Sequence, residues 1–347
     1  MFKRKSLMAV ALSLMLPMAG WAMPAQAQSE EGFQSFLNGL RGRAQGEGIS
    51  RTTLDAVLPT LTFNPRVIAL DKAQPGSDTT PSVAIGFAAY KRSHVDSARI
   101  SRGHAKYVDL RPRLERIERE TGVPEEIMLA IYGHETNYGG YTGNFDLLRS
   151  LASLAYDGRR RDLFTTEFLA TLKMIDRGVS RSQLVGSWAG ATGYPQFLPS
   201  VYIKLARDGD GDGRADIWSN ETDALASIAN YFVMAGWRPG SPWGVAATVP
   251  AGFNRAAIAT KLVAPRCPRV FSRHSQWKSM AEWRRLGVLP QPGAAVIRDD
   301  EQAALMEPDG PGTPAYLLTG NYRVILEYNC SNLYALSVGL LADEIKR

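Results

Sequence analysis

The segment Val123–Gly140 (VPEEIMLAIYGHETNYGG) puts an ionisable group on the apolar stripe of a helix. Pro124 suits the first helical turn, and Glu125 and Glu126 suit the positive end of the dipole as a solvated start. Gly139-Gly140 supply a stop. Ile127, Ile131 and Glu135 fall four apart and share one face. A carboxyl continuing such a stripe loses hydration, so its neutral form is favoured and its pKa rises. That is the state a general acid needs at neutral pH. Periodicity alone is equally satisfied by a paired or solvated Glu at a frayed helix end. His134-Glu135 lacks the second His of a zinc helix, because Tyr138 stands four residues after His134. His134 therefore reads as an ordinary helix residue.

Of the 347 residues, 45% are hydrophobic and 21% charged, a mixture that excludes disorder, collagen, coiled coil and a polytopic membrane protein. With only two cysteines, a disulfide-dense scaffold, a Cys₄ zinc site and a Cys-ligated iron–sulfur cluster are excluded. Lys3, Arg4 and Lys5 precede an apolar run from Leu7 to Ala22, and Ala25-Gln26-Ala27 has the form of a cleavage site. Residues 1–27 thus read as a secretory signal cut near Ala27. The run is short for a membrane span, and no cysteine near the cut suggests a lipoprotein. Removal of the signal lowers the net charge from +6 to +3, which suits an acidic polymer and gives no case for nucleic acid. In an oxidising compartment Cys267 and Cys330 can pair, closing a loop of about 63 residues; two separate buried thiols are the alternative.

The expected fold class is α+β: a mainly helical core, an N-terminal helical region and a small antiparallel β lobe. Residues 28–103 form the helical region, with Phe33, Phe36, Leu37 and Leu40 at helical spacing and Ser50 as a cap. Residues 104–244 and 321–347 form the core, and 245–320 the β-rich lobe. β-prone runs are Val245–Val249, Ala294–Ile297, Tyr316–Leu318 and Arg323–Leu326. The last helix is expected over Tyr334 to Ile345.

The run AIYGHETNYG (130–139) resembles the catalytic segment of the B-type lytic murein transglycosylases, glycoside hydrolase family 103. The likeness continues through SLASLAYDGRRRDLF (150–164), GSWAGATGYPQFLPSVY (186–202), DGDGDGRADIW (208–218), ANYFVMAGWRPGSPWG (229–244) and NYRVILEYNCSNLYALSVGLLADEI (321–345). The resemblance implies a lysozyme-like core in a periplasmic lyase. It implies cleavage of peptidoglycan between N-acetylmuramic acid and N-acetylglucosamine, leaving a 1,6-anhydromuramic end. Glu135 stands at the family's single catalytic acid, expected to act first as acid and then as base, with no catalytic cofactor. Asp146, Asp157 and Asp162 lie downstream as candidates should a second carboxylate operate.

The resemblance places Ser187 and Gln196 at polar groove positions, and Tyr328 and Asn329 at a late Tyr-Asn pair near the substrate's N-acetyl group. Tyr132, Asn137 and Tyr138 join the expected substrate-binding set. The family usually has Met where Thr192 stands and Gln where Tyr194 stands. In Asp157-Gly158-Arg159-Arg160-Arg161-Asp162 the bland reading is a solvated turn; the functional one has arginines meeting peptide-stem carboxylates.

Asp208, Asp210, Asp212 and Asp216 occupy positions 1, 3, 5 and 9 of an EF-hand-like loop, Gly213 takes position 6, and Arg214 would offer its carbonyl. Position 12 is Ser219 rather than a bidentate Glu, with Glu221 or Asp223 as substitutes. A structural Ca²⁺ is expected rather than Mg²⁺; a metal-free Asx-rich turn is the alternative. The expected partners are peptidoglycan glycan strands and proteins of wall synthesis or remodelling, the expected state a monomer. A hydrolytic muramidase and a non-catalytic, calcium-dependent glycan-binding protein are the competing functions.

Overall fold

A computed structural model describes residues 29–74, 86–260 and 267–347. The expected signal segment, residues 1–27, lies outside the described residues. No helix among them is long and apolar enough to cross a membrane.

The first helices are set by their caps. Ser29 accepts from Gly32 N to open α1 (Glu30–Gly39), and α2 (Arg41–Gly46) follows. Ser50 accepts from Thr53 N to open α3 (Arg51–Val57), and Asn64 accepts from Arg66 N to open α4 (Pro65–Lys72). Further on come α5 (Phe87–His94), α6 (Ser97–Thr121) and α7 (Glu125–Thr136). A two-stranded pair, β1 (Phe145–Asp146) with β2 (Val185–Gly186), flanks α8 (Leu147–Asp157) and α9 (Arg161–Asp176). Next are α10 (Pro199–Leu205) and α11 (Glu221–Met234).

The β lobe contains β3 (Gly244–Thr248), α12 (Pro268–Phe271), β4 (Trp277–Ser279), α13 (Met280–Arg285), β5 (Leu289–Pro290), β6 (Gln302–Met306) and β7 (Ala315–Leu318). Its sheet is antiparallel, in the order β4-β6-β7-β3-β5. The chain then returns through α14 (Gly320–Tyr328) and α15 (Asn332–Lys346).

Three hydrophobic clusters organise these elements, and their limits differ from the expected domains. Phe33, Leu37, Leu54 and Val67 of the N-terminal helices share one core with Leu151, Phe168 and Leu172 of α8 and α9. The N-terminal helices therefore complete that part of the core rather than standing apart. A second cluster joins α6, α7, α11, α14 and α15, and the third lies within the β lobe. The expected boundary at 103 falls inside the continuous helix α6.

Two expected strands are absent. Residues 294–297 carry no strand, and Arg323–Leu326 belong to α14. Thr319 accepts from Asn321 N at the start of α14, and the Asn321 amide donates to the carbonyls of Arg238 and Ser241. Tyr322, Val324, Ile325 and Leu326 are all buried. The run Val324-Ile325-Leu326 is short, apolar and opens on two β-branched residues, and a run of that length resembles a buried strand. Cys267 and Cys330 form a disulfide that ties the lobe to the turn after α14.

Candidate active site

α7 is buried along its length, from Ile127 to Gly133, because α6, α11 and α15 enclose it. It ends one turn earlier than its glycines suggest: Asn137 and Tyr138 both take left-handed backbone conformations, at φ 53° and 59°. Tyr138 turns back onto the helix. A Cβ on Gly133 would lie 2.6 Å from the Tyr138 ring, and one on Gly103 would lie 2.6 Å from its hydroxyl. Two glycines on neighbouring helices thus open the notch that the Tyr138 ring fills. Glu125 is 6% exposed rather than solvated; burial pushes its carboxyl up, and its backbone N–H donates to Glu118 Oε2.

Glu135, half-buried in the last turn of α7, faces α15. Tyr334 donates a 2.5 Å hydrogen bond to Glu135 Oε1. Burial pushes the carboxyl up to about 7, and the Tyr334 bond opposes that rise by favouring the charged form. Burial first, then the Glu135 carboxylate, raise the phenols of Tyr90, Tyr328 and Tyr334. Tyr90 lies on α5, with His94 stacked on its ring at 3.7 Å between centroids. Asp309 of the β lobe accepts from Phe87 N and Ala88 N and so fixes the start of α5.

His134 is a half-buried packing residue. Its Nδ1–H donates to Ala130 O at 2.9 Å, Nε2 lies 2.7 Å from Ser337 Oγ, and burial lowers its pKa to about 3. It stays neutral at physiological pH.

No second carboxylate among the described residues bears on Glu135. Asp146 caps α8 and pairs with Arg181, Asp157 pairs with Lys72 at 3.9 Å, and Asp162 is exposed in the first turn of α9.

The expected groove residues divide. Gln196, at φ 50°, donates from its amide to Thr142 O and Gly193 O, and Ser187 Oγ accepts from Ala191 N. Both are half-buried and shape the loop between β2 and α10. Thr136 Oγ1 and Tyr328 OH donate to the carbonyls of Tyr194 and Pro195, which fastens that loop beside Glu135. Asn329 is exposed at the end of α14, and Asn137 is half-buried with an Oδ1 that has no partner.

Tyr132 does not face the groove. It is 1% exposed, and its hydroxyl donates to Glu221 Oε1, which also pairs with Lys106. Tyr138 is likewise buried. Thr192 is fully buried between Val185 O and Trp218 Nε1, so it is a structural residue, and Tyr194 packs on the Tyr132 ring.

The first two arginines of the cluster are already paired, although Arg159 remains exposed. Arg159 Nε and Arg160 Nη2 both donate to the buried Asp71 carboxylate, which locks α4 to the α8–α9 turn. Arg161 lies over the Phe36 ring.

In the acidic loop, carboxylate oxygens of Asp208, Asp210, Asp212 and Asp223 lie within 4.8 Å of one another. This all-oxygen donor set fits a hard cation such as Ca²⁺. Asp216 is not among the converging groups. Its carboxylate accepts from Trp218 N, Ser219 N and Ser219 Oγ. Asp223, from the first turn of α11, takes that place; its oxygens also accept from Gly209 N and Asp216 N. Arg214 donates its N–H to Asp212 Oδ1. Tyr334, Tyr90 and Asp223 had no distinguishing spacing in the sequence. Only the position of Asp223 just after the loop marked it as a possible substitute.

A helical core of lysozyme type with one desolvated carboxyl at the end of its buried helix defines a class of glycan-acting folds. The chain belongs to the transglycosylase SLT domain family, whose pattern matches residues 32–343. It is 30% identical over 259 residues to the membrane-bound lytic murein transglycosylase B of Escherichia coli, and spans 66% of that protein's length and 74% of its own. Among solved structures it is similar to SltB3 of Pseudomonas aeruginosa in complex with NAG-anhNAM-pentapeptide. That match has a TM-score of 0.80 and 36% identity, over 90% of this chain and 79% of the other. It is also similar to the Escherichia coli lytic transglycosylase Slt35 in complex with calcium, with a TM-score of 0.72 and 27% identity, over 92% and 93% of the two chains.

Proposed function

We propose that this chain is a periplasmic lytic transglycosylase that cleaves the MurNAc–GlcNAc β-1,4 bond of peptidoglycan. The observation that carries the reading is Glu135: one carboxyl, pushed up to about 7, with no second carboxylate acting on it. Hydrolases of both stereochemical classes use a pair. A single group suffices when the nucleophile belongs to the substrate.

Protonated Glu135 gives its proton to the glycosidic oxygen as the C1–O bond breaks. The resulting carboxylate then accepts the proton of the muramyl 6-hydroxyl as that oxygen bonds to C1. The enzyme ends as it began, and the product carries a 1,6-anhydro ring. Tyr334 holds the carboxyl in place in both states. The complex of SltB3 with NAG-anhNAM-pentapeptide supports an anhydro product.

The acidic loop is proposed to hold Ca²⁺ through Asp208, Asp210, Asp212 and Asp223 as a structural ion. The Slt35 calcium complex supports this. Export after cleavage near Ala27 accords with the Cys267–Cys330 disulfide, since such bonds persist in oxidising compartments. Glycan strands are the proposed partner and a monomer the proposed state.

The test is mass spectrometry of soluble products from purified peptidoglycan treated with mature protein or Glu135→Gln. Anhydro-muropeptides from the first and none from the second are expected. Products about 18 Da heavier, with reducing muramic ends from added water, would make the chain a hydrolase.

A further inference from the structure

Outside the catalytic constellation, a cavity of about 720 Å³ opens between α11, α14 and the β lobe. Arg323 of α14 lines it. The guanidinium lies 4.7 Å from the centroid of the Phe271 ring and 4.4 Å from that of Trp277. Its Nε is buried without a hydrogen-bond partner. No carboxylate among the described residues forms an ion pair with Arg323, and burial alone displaces its pKa, downward. A half-buried cation without a countercharge is costly, and the aromatic rings offset only part of the lost hydration. They do fix the plane of the fork, which pre-orients it for a bidentate acceptor.

We infer that this cavity binds the peptide stem of peptidoglycan, with the stem's C-terminal carboxylate on Arg323. The inference rests on the proposed function and names a substrate feature that function leaves open. Charge selects the ligand. The cavity's other cation, Arg238, lies 3.8 Å from Glu301, and Glu327 also lines the wall. One unpaired positive charge beside an acidic residue suits a monoanion and disfavours a phosphate dianion. Leu205, Met234 and Val324 supply apolar wall for short aliphatic side chains. The cavity wall is in packing contact with residues of the Glu135 neighbourhood. Tyr231 lines the cavity and packs 4.8 Å from Tyr328, whose hydroxyl reaches the Pro195 carbonyl beside Gln196.

The experiment measures binding and turnover separately. Free stem pentapeptide, and the same peptide amidated at its C-terminus, are titrated by calorimetry into mature protein, Arg323→Gln and Arg323→Lys. Loss of a charge-assisted bidentate contact is expected to weaken binding of the free acid by about tenfold or more in Arg323→Gln, with partial rescue by Lys. Amidation should weaken binding to the wild type similarly. Turnover is then compared on intact peptidoglycan and on glycan strands stripped of peptide. Arg323→Gln should slow the first and leave the second unchanged. Equal pentapeptide affinity in all three proteins, or equal loss on both polymers, would overturn the inference. Pentapeptide binding that depends on Arg323, without any glycan cleavage by the wild type, would keep the site and reject the proposed chemistry.

Discussion

Tyr334 and Glu135 are joined by a 2.5 Å hydrogen bond across 199 residues of sequence. The bond connects the last turn of α7 to the first turn of α15 and works against the burial that raises the carboxyl. Removing it isolates the burial effect. In Tyr334→Phe the Glu135 pKa should rise by about 1 unit or more, because a hydrogen bond to a charged group contributes roughly 1.5–3 kcal/mol. The alkaline limb of kcat/KM should shift upward with it. A limb that stays in place or moves to lower pH would show that Tyr334 does not tune the acid.

Glu135 also makes stability depend on pH. Its folded value of about 7 exceeds the ordinary 4.5, so the native state holds this proton more tightly than the unfolded chain. The contribution is fully present below pH 4.5 and is lost as pH rises through 7. Over that window it amounts to about 3 kcal/mol at most. Glu135→Gln should match the wild type at pH 4 and exceed it by about 1–3 kcal/mol at pH 8 in denaturant unfolding. Equal stability at both pH values would contradict the desolvation.

The Tyr138 notch predicts opposite effects for two glycines in helices. Gly133→Ala places a Cβ 2.6 Å from the Tyr138 ring and should destabilise by about 1–3 kcal/mol despite its better helix propensity. Gly39→Ala meets no atom within 4 Å and should be neutral or stabilising by up to about 1 kcal/mol. Urea midpoints of the two variants check the contrast.

Calcium should raise the melting temperature by a few degrees at concentrations well above its Kd, as linkage requires of a ligand bound only by the folded state. Asp223→Asn should abolish most of that shift, and Asp216→Asn should retain it. The reverse ranking would return the site to the EF-hand-like ligand order.

Glu135 stands out because it continues the stripe of Ile127 and Ile131, but that spacing leaves a solvated helix end equally open, and the family resemblance of residues 130–139 is what marks it as the acid. Its partner does not stand out. Tyr334 sits on an almost wholly apolar helix, where a tyrosine with a working hydroxyl looks like one more core residue. That Asp216 stands outside the converging carboxylates was hidden for a related reason: loop spacing gives donor positions, but not which carboxylates neighbouring N–H groups have already taken. The Arg159–Asp71–Arg160 contact spans 88 residues and leaves no local mark. The β lobe was legible as a change of texture, although its extent at α14 was not, since burial erases the periodicity that separates strand from helix.

The position of Tyr334 in α15 has a consequence for the order in which the protein is made. Until the last fifteen residues of α15 have docked against α7, Glu135 lacks both its cover and its hydroxyl partner, and it titrates as an ordinary carboxyl. A chain whose synthesis has not yet reached α15 holds the residue but not the acid. The reactive state is assembled only once α15 has been made and has packed against α7.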